Sequence, residues 1–338
     1  VKVLVVGPSW IGDMVMAQSL FRCLQAENPG IIIDVLALDW TRELLSRMPE
    51  VNQAIPMPIG HGELAISKRL QLGKTLQSES YQQAIVLPNS FKSALIPFFA
   101  KIPIRTGWRG EARSWLLNDC RKLDKQQYPL MVERFAALGF PEKTVLAEPL
   151  PWPELNISND INATREKYKL VSERPITIFC PGAEFGTSKK WPESHFAKLA
   201  DTLINEGDQV WLMGSTNDIQ TTKNIIATIQ PEHNKHVVSL AGLTSIGEAI
   251  DLMSLAHTVI SNDSGLMHIA AALNKSLIVI YGSTSPEFTP PLSKKVEILN
   301  LNLHCSPCFK RECPLGHHDC LNQLSPKLVT NAMKKVHQ

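Results

Sequence analysis

A short apolar run ends in a glycine turn and is followed by a longer amphipathic run near the start of the chain, and the same succession begins again at residue 176. In the first half, Lys2 to Val6 reads as a buried strand, Met14 to Ala26 as a helix and Ile31 to Leu38 as a strand. Leu64 to Ser78 then reads as a helix and Gln83 to Leu87 as a strand. Short β-branched runs separated by helices specify a parallel sheet. Pro141, Pro149, Pro151 and Pro153 then interrupt, and prolines at that density stiffen an extended connection. The pattern resumes with Ile176 to Cys180 (strand), Glu193 to Glu206 (helix) and Gln209 to Met213 (strand). Ser245 to Leu255 and Leu266 to Leu273 read as helices, Thr258 to Ser261 and Leu277 to Tyr281 as strands. The predicted class is therefore α/β with two Rossmann-like domains, residues 1–165 and 166–322. A final helix within 323–338, over Ser325 to Val336, is expected to pack back across the domain interface. A chain of 338 residues suits two domains of roughly 150 residues each.

Several classes are disfavoured. No stretch approaches the ~20 apolar residues that cross a bilayer. Val1 to Gly7 reads as a strand entering a turn, not as a signal peptide, so a cytoplasmic location is expected. A net charge of +2 argues against a dedicated nucleic-acid binder. Seven cysteines, an odd number, argue against a disulfide scaffold.

Five segments carry candidate chemistry. Gly7-Pro8-Ser9-Trp10-Ile11-Gly12-Asp13 joins the first strand to the first helix. Two roles fit Asp13: a carboxylate that complements the helix N-terminus, or a general base for a sugar hydroxyl. The spacing is neither a dinucleotide fingerprint nor a P-loop. Pro181-Gly182-Ala183-Glu184-Phe185-Gly186-Thr187-Ser188-Lys189-Lys190 follows the first strand of the second half. Glycines, hydroxyls and lysines before a helix suit a diphosphate, with a solvated loop as the plainer reading. Asn262-Asp263-Ser264-Gly265-Leu266-Met267-His268 opens a helix. There Ser264, Gly265 and the helix N-terminus can cradle a phosphate, Asp263 can hold sugar hydroxyls, and His268 can donate to a phosphate oxygen. The bland alternatives are a cap for Asp263 and a core position for His268.

Residues 92–134 hold nine basic side chains against four acidic ones. Asn89, Lys92, Arg105, Arg109 and Arg113 are the candidates there for gripping an acidic acceptor, with an ordinary solvated face as the alternative. Finally, Cys305, Cys308, Cys313 and Cys320, with histidines nearby, have spacing that could hold a structural metal. A reduced, packed loop is the plainer reading, because the spacing is irregular for a zinc module.

These segments together resemble the lipopolysaccharide heptosyltransferases of glycosyltransferase family 9, and among them the branch that adds a second heptose. The resemblance rests on Gly7 to Met14, Pro56 to Gly62, Leu87 to Ser93, Arg105 to Glu111, Pro181 to Gly186 and Asn262 to His268, and runs over about residues 1 to 292. It implies a GT-B fold, whose two domains face each other across a cleft, and an inverting transfer. The implied donor is ADP-L-glycero-D-manno-heptose. The implied acceptor is the first heptose of the inner core, attached through Kdo to lipid A.

By the same resemblance, Asp13 matches the base and Lys189 the lysine on the donor diphosphate, with Thr187 and Ser188 beside it. Asp263 matches the carboxylate on the donor sugar and Asp218 an acidic residue near the ribose. Leu240 to Thr244, with Gly242 and Leu243, matches the wall of the adenosine pocket. No cofactor is implied beyond the donor. A lipid acceptor implies peripheral contact with the inner face of the inner membrane, and no nucleic acid. The cysteine cluster is absent from some members and recurs in others. Two rival readings remain at this level: a nucleotide-sugar epimerase on the same architecture, and a non-catalytic nucleic-acid module.

Overall fold

The computed structural model describes every residue except His61, Ser172 and Gln338. Two compact units divide at Pro153 and Glu154, earlier than the expected 165/166 boundary. The reason lies in residues 154–168, whose partners belong to the second unit. Leu155 N donates to Ala272 O (3.3 Å), Ser158 N to Asp251 Oδ1 (2.8 Å), and Tyr168 Oη to Leu243 O (2.9 Å).

The first unit carries β1 (Lys2–Val6), β2 (Ile32–Ala37), β3 (Val51–Pro56), β4 (Gln83–Val86), β5 (Ile104–Trp108) and β6 (Asp119–Arg121). They form one sheet in the order β3-β2-β1-β4-β5-β6, parallel throughout. The second carries β7 (Ile176–Cys180), β8 (Gln209–Leu212), β9 (Val237–Ser239), β10 (Thr258–Asn262), β11 (Ser276–Ile280) and β12 (Val296–Leu299). Its order, β12-β11-β10-β7-β8-β9, is also parallel. Counted within each unit, both orders are the doubly wound 3-2-1-4-5-6. The chain reverses direction between the unit's first and fourth strands, and ligands of such sheets bind outside the strand C-termini at that switch point.

The central strands are buried on both faces, which is why they read as continuous apolar runs. Leu4, Val6, Ala84 and Val86 pack with Leu95 and Ile96 in the first unit. Phe179, Phe196, Leu212, Ile260 and Ile278 pack together in the second. The last helix, Pro326–Val336, has proline in its first turn, where the missing N–H costs nothing. Val329, with Ala332 and Met333 three and four residues after it, joins the second unit's core, so the helix's apolar side is used within that unit.

Candidate active site

Each switch point carries polar side chains. In the first unit the ends of β1 and β4 open on a cavity of about 540 Å³, lined by Asp13, Trp10, Asn89, Lys92, Arg69 and Glu111 among others. Asp13 is the third residue of the helix Ile11–Glu27 and is half-buried. It sits in the first turn, where the helix dipole favours a carboxylate, and it also lines the cavity. Trp10 is 52% exposed, and an indole face at a cavity mouth suits the apolar side of a sugar ring.

The basic stretch does not act as one patch. Asn89 and Lys92 line the cavity. Arg113 is fully buried and ties the β4 end to the β5 end. Its guanidinium donates to Asn89 Oδ1 (3.1 Å), Trp108 O (2.6 Å), Ser93 Oγ (3.0 Å) and Pro88 O. Holding Asn89 by its oxygen leaves that amide's N–H groups to turn outward. The grip on an acidic acceptor expected of Arg113 is thus replaced by a brace. Burial lowers its pKa without bringing a guanidinium near neutrality.

Arg105 lines a separate groove, its Nε and one Nη held by Leu116 O (2.7 Å) and Ile102 O (2.6 Å). Arg109 is exposed and is not among the residues lining the cavity. The loop carrying it lies tight on Asn89: a Cβ at Gly110 would come within 2.7 Å of Asn89 O, so only glycine fits there.

Sequence reasoning missed Arg69. It is buried and donates to Leu64 O (2.7 Å), Glu63 O (3.0 Å) and Lys92 O (3.2 Å), so it positions the Lys92 loop. It lay inside a predicted helix, where nothing separates a buried arginine from a surface one. His61, part of the Pro56 to Gly62 motif, lies outside the described residues.

In the second unit the ends of β7 and β10 carry the expected donor loops. Lys189 Nζ lies 2.6 Å from Asp263 Oδ2, with side-chain exposures of 15% and 6%. Thr284 Oγ1 donates to the same carboxylate oxygen at 2.6 Å. Thr284 lies just past the strand read over Leu277 to Tyr281 and is not among the candidates that the sequence offered. Asp263 directly precedes Ser264, the N-cap of the helix Gly265–Ala272, which has no side-chain cap. Gly265 and the helix N–H groups are thus available to an anion. Asn262 fixes the two loops together: its Nδ2 donates to Pro181 O (2.7 Å) and its Oδ1 accepts from Trp191 N (3.2 Å).

His268 is buried in the same helix, and its pKa falls to about 4. Desolvation is the main cause, followed by the opposing effects of Asp263, which raises it, and Lys189, which lowers it. The imidazole is neutral and can donate one N–H.

Thr187 is exposed. Ser188 is buried, its hydroxyl 2.9 Å from Ser283 Oγ and donating to Lys310 O, so it holds the loop in place. Asp218 is buried too, and its Oδ2 accepts from Ser215 N and Ser215 Oγ, both at 2.9 Å, which caps a turn at the β8 end. Gly242 N donates to Gly214 O (3.0 Å), and Leu243 is 61% exposed.

Among the described residues no group of three or more His, Cys, Asp or Glu side chains is disposed to hold a metal, and the thiols of Cys305, Cys308, Cys313 and Cys320 are free. They share a neighbourhood: Cys320 has its pKa raised by burial and then by Cys305, Cys313 and Cys308. The backbone of their loop serves the donor loop instead. Ser188 N donates to Arg311 O (3.2 Å) and Phe309 N to Ser283 O (2.8 Å). A Cβ at Gly186 would overlap the Arg311 carbonyl, so the two loops pack backbone to backbone there.

The family model of glycosyltransferase family 9 (heptosyltransferase) matches residues 69–318. The chain belongs to this family. It is 50% identical to lipopolysaccharide heptosyltransferase 2 of Escherichia coli K12, over 99% of this chain and 98% of that one. It is 46% identical to lipooligosaccharide heptosyltransferase 2 of Haemophilus ducreyi, over 99% of each. The solved structure of the E. coli ADP-heptose heptosyltransferase II superposes with a TM-score of 0.91 at 47% identity, covering 99% of this chain and 98% of that one. The chain is therefore a glycosyltransferase of the GT-B class, built from two Rossmann-like sheets. The epimerase and nucleic-acid readings are not favoured.

Proposed function

We propose that this heptosyltransferase moves L-glycero-D-manno-heptose from ADP-heptose onto the first heptose of the lipopolysaccharide inner core, with inversion at the anomeric carbon. The observation that carries the donor assignment is the Lys189–Asp263 pair, 2.6 Å apart at an uncapped helix N-terminus on the switch point of the second sheet. An ammonium held by one carboxylate still has N–H groups to give to a diphosphate, and the adjoining helix end adds a second source of positive potential. Asp263 and Thr284 then face the donor sugar, and Gly242 and Leu243 the adenosine.

The acceptor hydroxyl gives its proton to Asp13 while its oxygen forms a bond to the anomeric carbon on the face opposite the diphosphate. The bond from that carbon to the phosphate oxygen breaks, and ADP leaves with the electron pair. Lys189, the N–H groups at Gly265 and neutral His268 stabilise the charge that develops on it. Preorganised donors at a leaving group are commonly the largest catalytic contribution. Lys92 and Asn89 orient the acceptor.

Because the acceptor is a glycolipid, we further propose peripheral contact with the inner face of the inner membrane. Among the described residues no helix is long and apolar enough to cross a membrane. The deciding experiment is a transfer assay with ADP-heptose and Kdo-lipid A cores bearing no heptose or one. Transfer to the one-heptose core alone is expected; transfer only to the core lacking heptose would reassign the acceptor.

A further inference from the structure

We infer that one face of the first unit, built around the helix Ile66–Thr75 and residues 98–115, docks the protein on an anionic lipid surface. This deepens the membrane contact proposed above and rests on that reading. Ile66, Leu70 and Lys74 are spaced four residues apart and so share one side of the helix. Ile66 and Leu70 are 51% and 37% exposed, and Lys74 is exposed. Leu70, Lys74 and Gln77 border an open groove with Phe98, Phe99, Lys101 and Arg105. Three cations line it, with no carboxylate, and none of the three is ion-paired among the described residues.

Beside the groove stands Trp115, 63% exposed. Its ring centroid lies 5.8 Å from that of Phe98 and 6.0 Å from that of Phe91. Its indole N–H is already given to Ala112 O at 3.0 Å, so the exposed ring can enter an apolar phase without stranding a donor. Exposed aliphatic and aromatic side chains interleaved with lysine and arginine are the composition that binds the headgroup layer of an anionic membrane.

Two observations favour a membrane over a second copy of the chain. First, self-association through this face would set Lys74, Lys101 and Arg105 against their own like charges. Second, the aromatic row leads to the acceptor cavity: Phe91 N donates to Glu111 Oε2 (2.5 Å), and Glu111 lines the Asp13 cavity. A lipid surface against the row would bring a membrane-anchored sugar to the rim of that cavity.

The test is sedimentation of the full chain with vesicles of phosphatidylglycerol and phosphatidylethanolamine, against vesicles of phosphatidylcholine alone. Variants are Lys74→Glu with Lys101→Glu, Leu70→Ser with Trp115→Ser, and, on the second unit, Lys334→Glu with Lys335→Glu. Wild type is expected to bind the anionic vesicles and not the neutral ones. The first pair should weaken partitioning about tenfold or more, the second about fivefold, and the third should bind like wild type. Thermal unfolding should match wild type for all three. Turnover on a deacylated, water-soluble acceptor should not change, while turnover on acceptor in vesicles should fall with binding. If wild type binds but the first two pairs bind equally well, this face is not the docking site, although the membrane contact stands. If wild type does not bind, the membrane contact itself falls. A wild-type dimer that either pair splits would make the face a self-association surface.

Discussion

The two switch-point sites are built on the same strand order yet differ in how their charge is held. In the second unit, Lys189, Asp263 and Thr284 already bond to one another on loops that directly follow β7, β10 and β11. In the first, Asp13 lines a cavity whose other walls come from seven separated stretches of chain, cross-tied by buried Arg69 and Arg113. A site that must bind a diphosphate gains from fixed opposite charge before the ligand arrives. A site proposed to take up a proton needs a carboxylate that borders the acceptor cavity, as Asp13 does. The difference sets a pair fixed within its own loops against a carboxylate on a wall assembled from distant parts of the chain.

Substitutions on either side test this division. The largest effect is expected from Asp13→Ala, which should lower turnover by ~10²-fold or more, as loss of a general base does. Steady-state transfer at saturating donor checks it, and turnover close to wild type would deny Asp13 its role.

Arg113→Met should destabilise the first unit by about 3 kcal/mol, since four acceptors, the buried Ser93 Oγ and Trp108 O among them, lose their donor. The urea midpoint measures this, and a midpoint unchanged from wild type would make the brace unimportant. Lys189→Ala removes a charge-assisted contact to the diphosphate and should weaken ADP binding roughly tenfold to thirtyfold. Calorimetry reads this directly, and equal affinity would remove Lys189 from the donor site.

The smallest effect is a pH dependence confined to the second unit. His268 has a folded pKa of about 4, below the ordinary value near 6.5. Between those values the unfolded chain binds a proton that the native state refuses. The stability tied to neutral His268 is therefore complete above about pH 6.5 and is lost as pH falls toward 4. The loss is on the order of 2 kcal/mol once relaxation of the site is allowed for. Urea titrations at pH 7.5 and 5 should show it, and His268→Gln should flatten it; an equal slope in the variant would assign the dependence elsewhere.

The same contrast explains what could be read from the sequence. The donor loops were legible because each is contiguous and follows a buried strand, so Lys189, Asp263 and Gly265 could be found together. Thr284 escaped because its hydroxyl matters only once β11 lies beside β10. The acceptor side was legible at Asp13, Asn89 and Lys92 and not at Arg69 or Arg113. Composition cannot tell an arginine spent on backbone carbonyls from one that faces a ligand.

Edge strands were the least visible parts of the fold. Val51–Pro56 and Val296–Leu299 are mostly half-exposed or exposed and lack the apolar runs that marked the centre of each sheet. The cysteine spacing gave no sign of the backbone bonds that loop makes to the donor loop, because spacing carries no information on which backbone groups a loop commits to its neighbours.

On the proposed mechanism Asp13 reacts while the Lys189–Asp263 pair binds. One preparation of Asp13→Asn, assayed for transfer and titrated with ADP by calorimetry, tests it most directly. The expected result is turnover reduced by ~10²-fold or more with ADP affinity unchanged. An ADP affinity that falls in step with turnover, or turnover that survives the substitution, would contradict it.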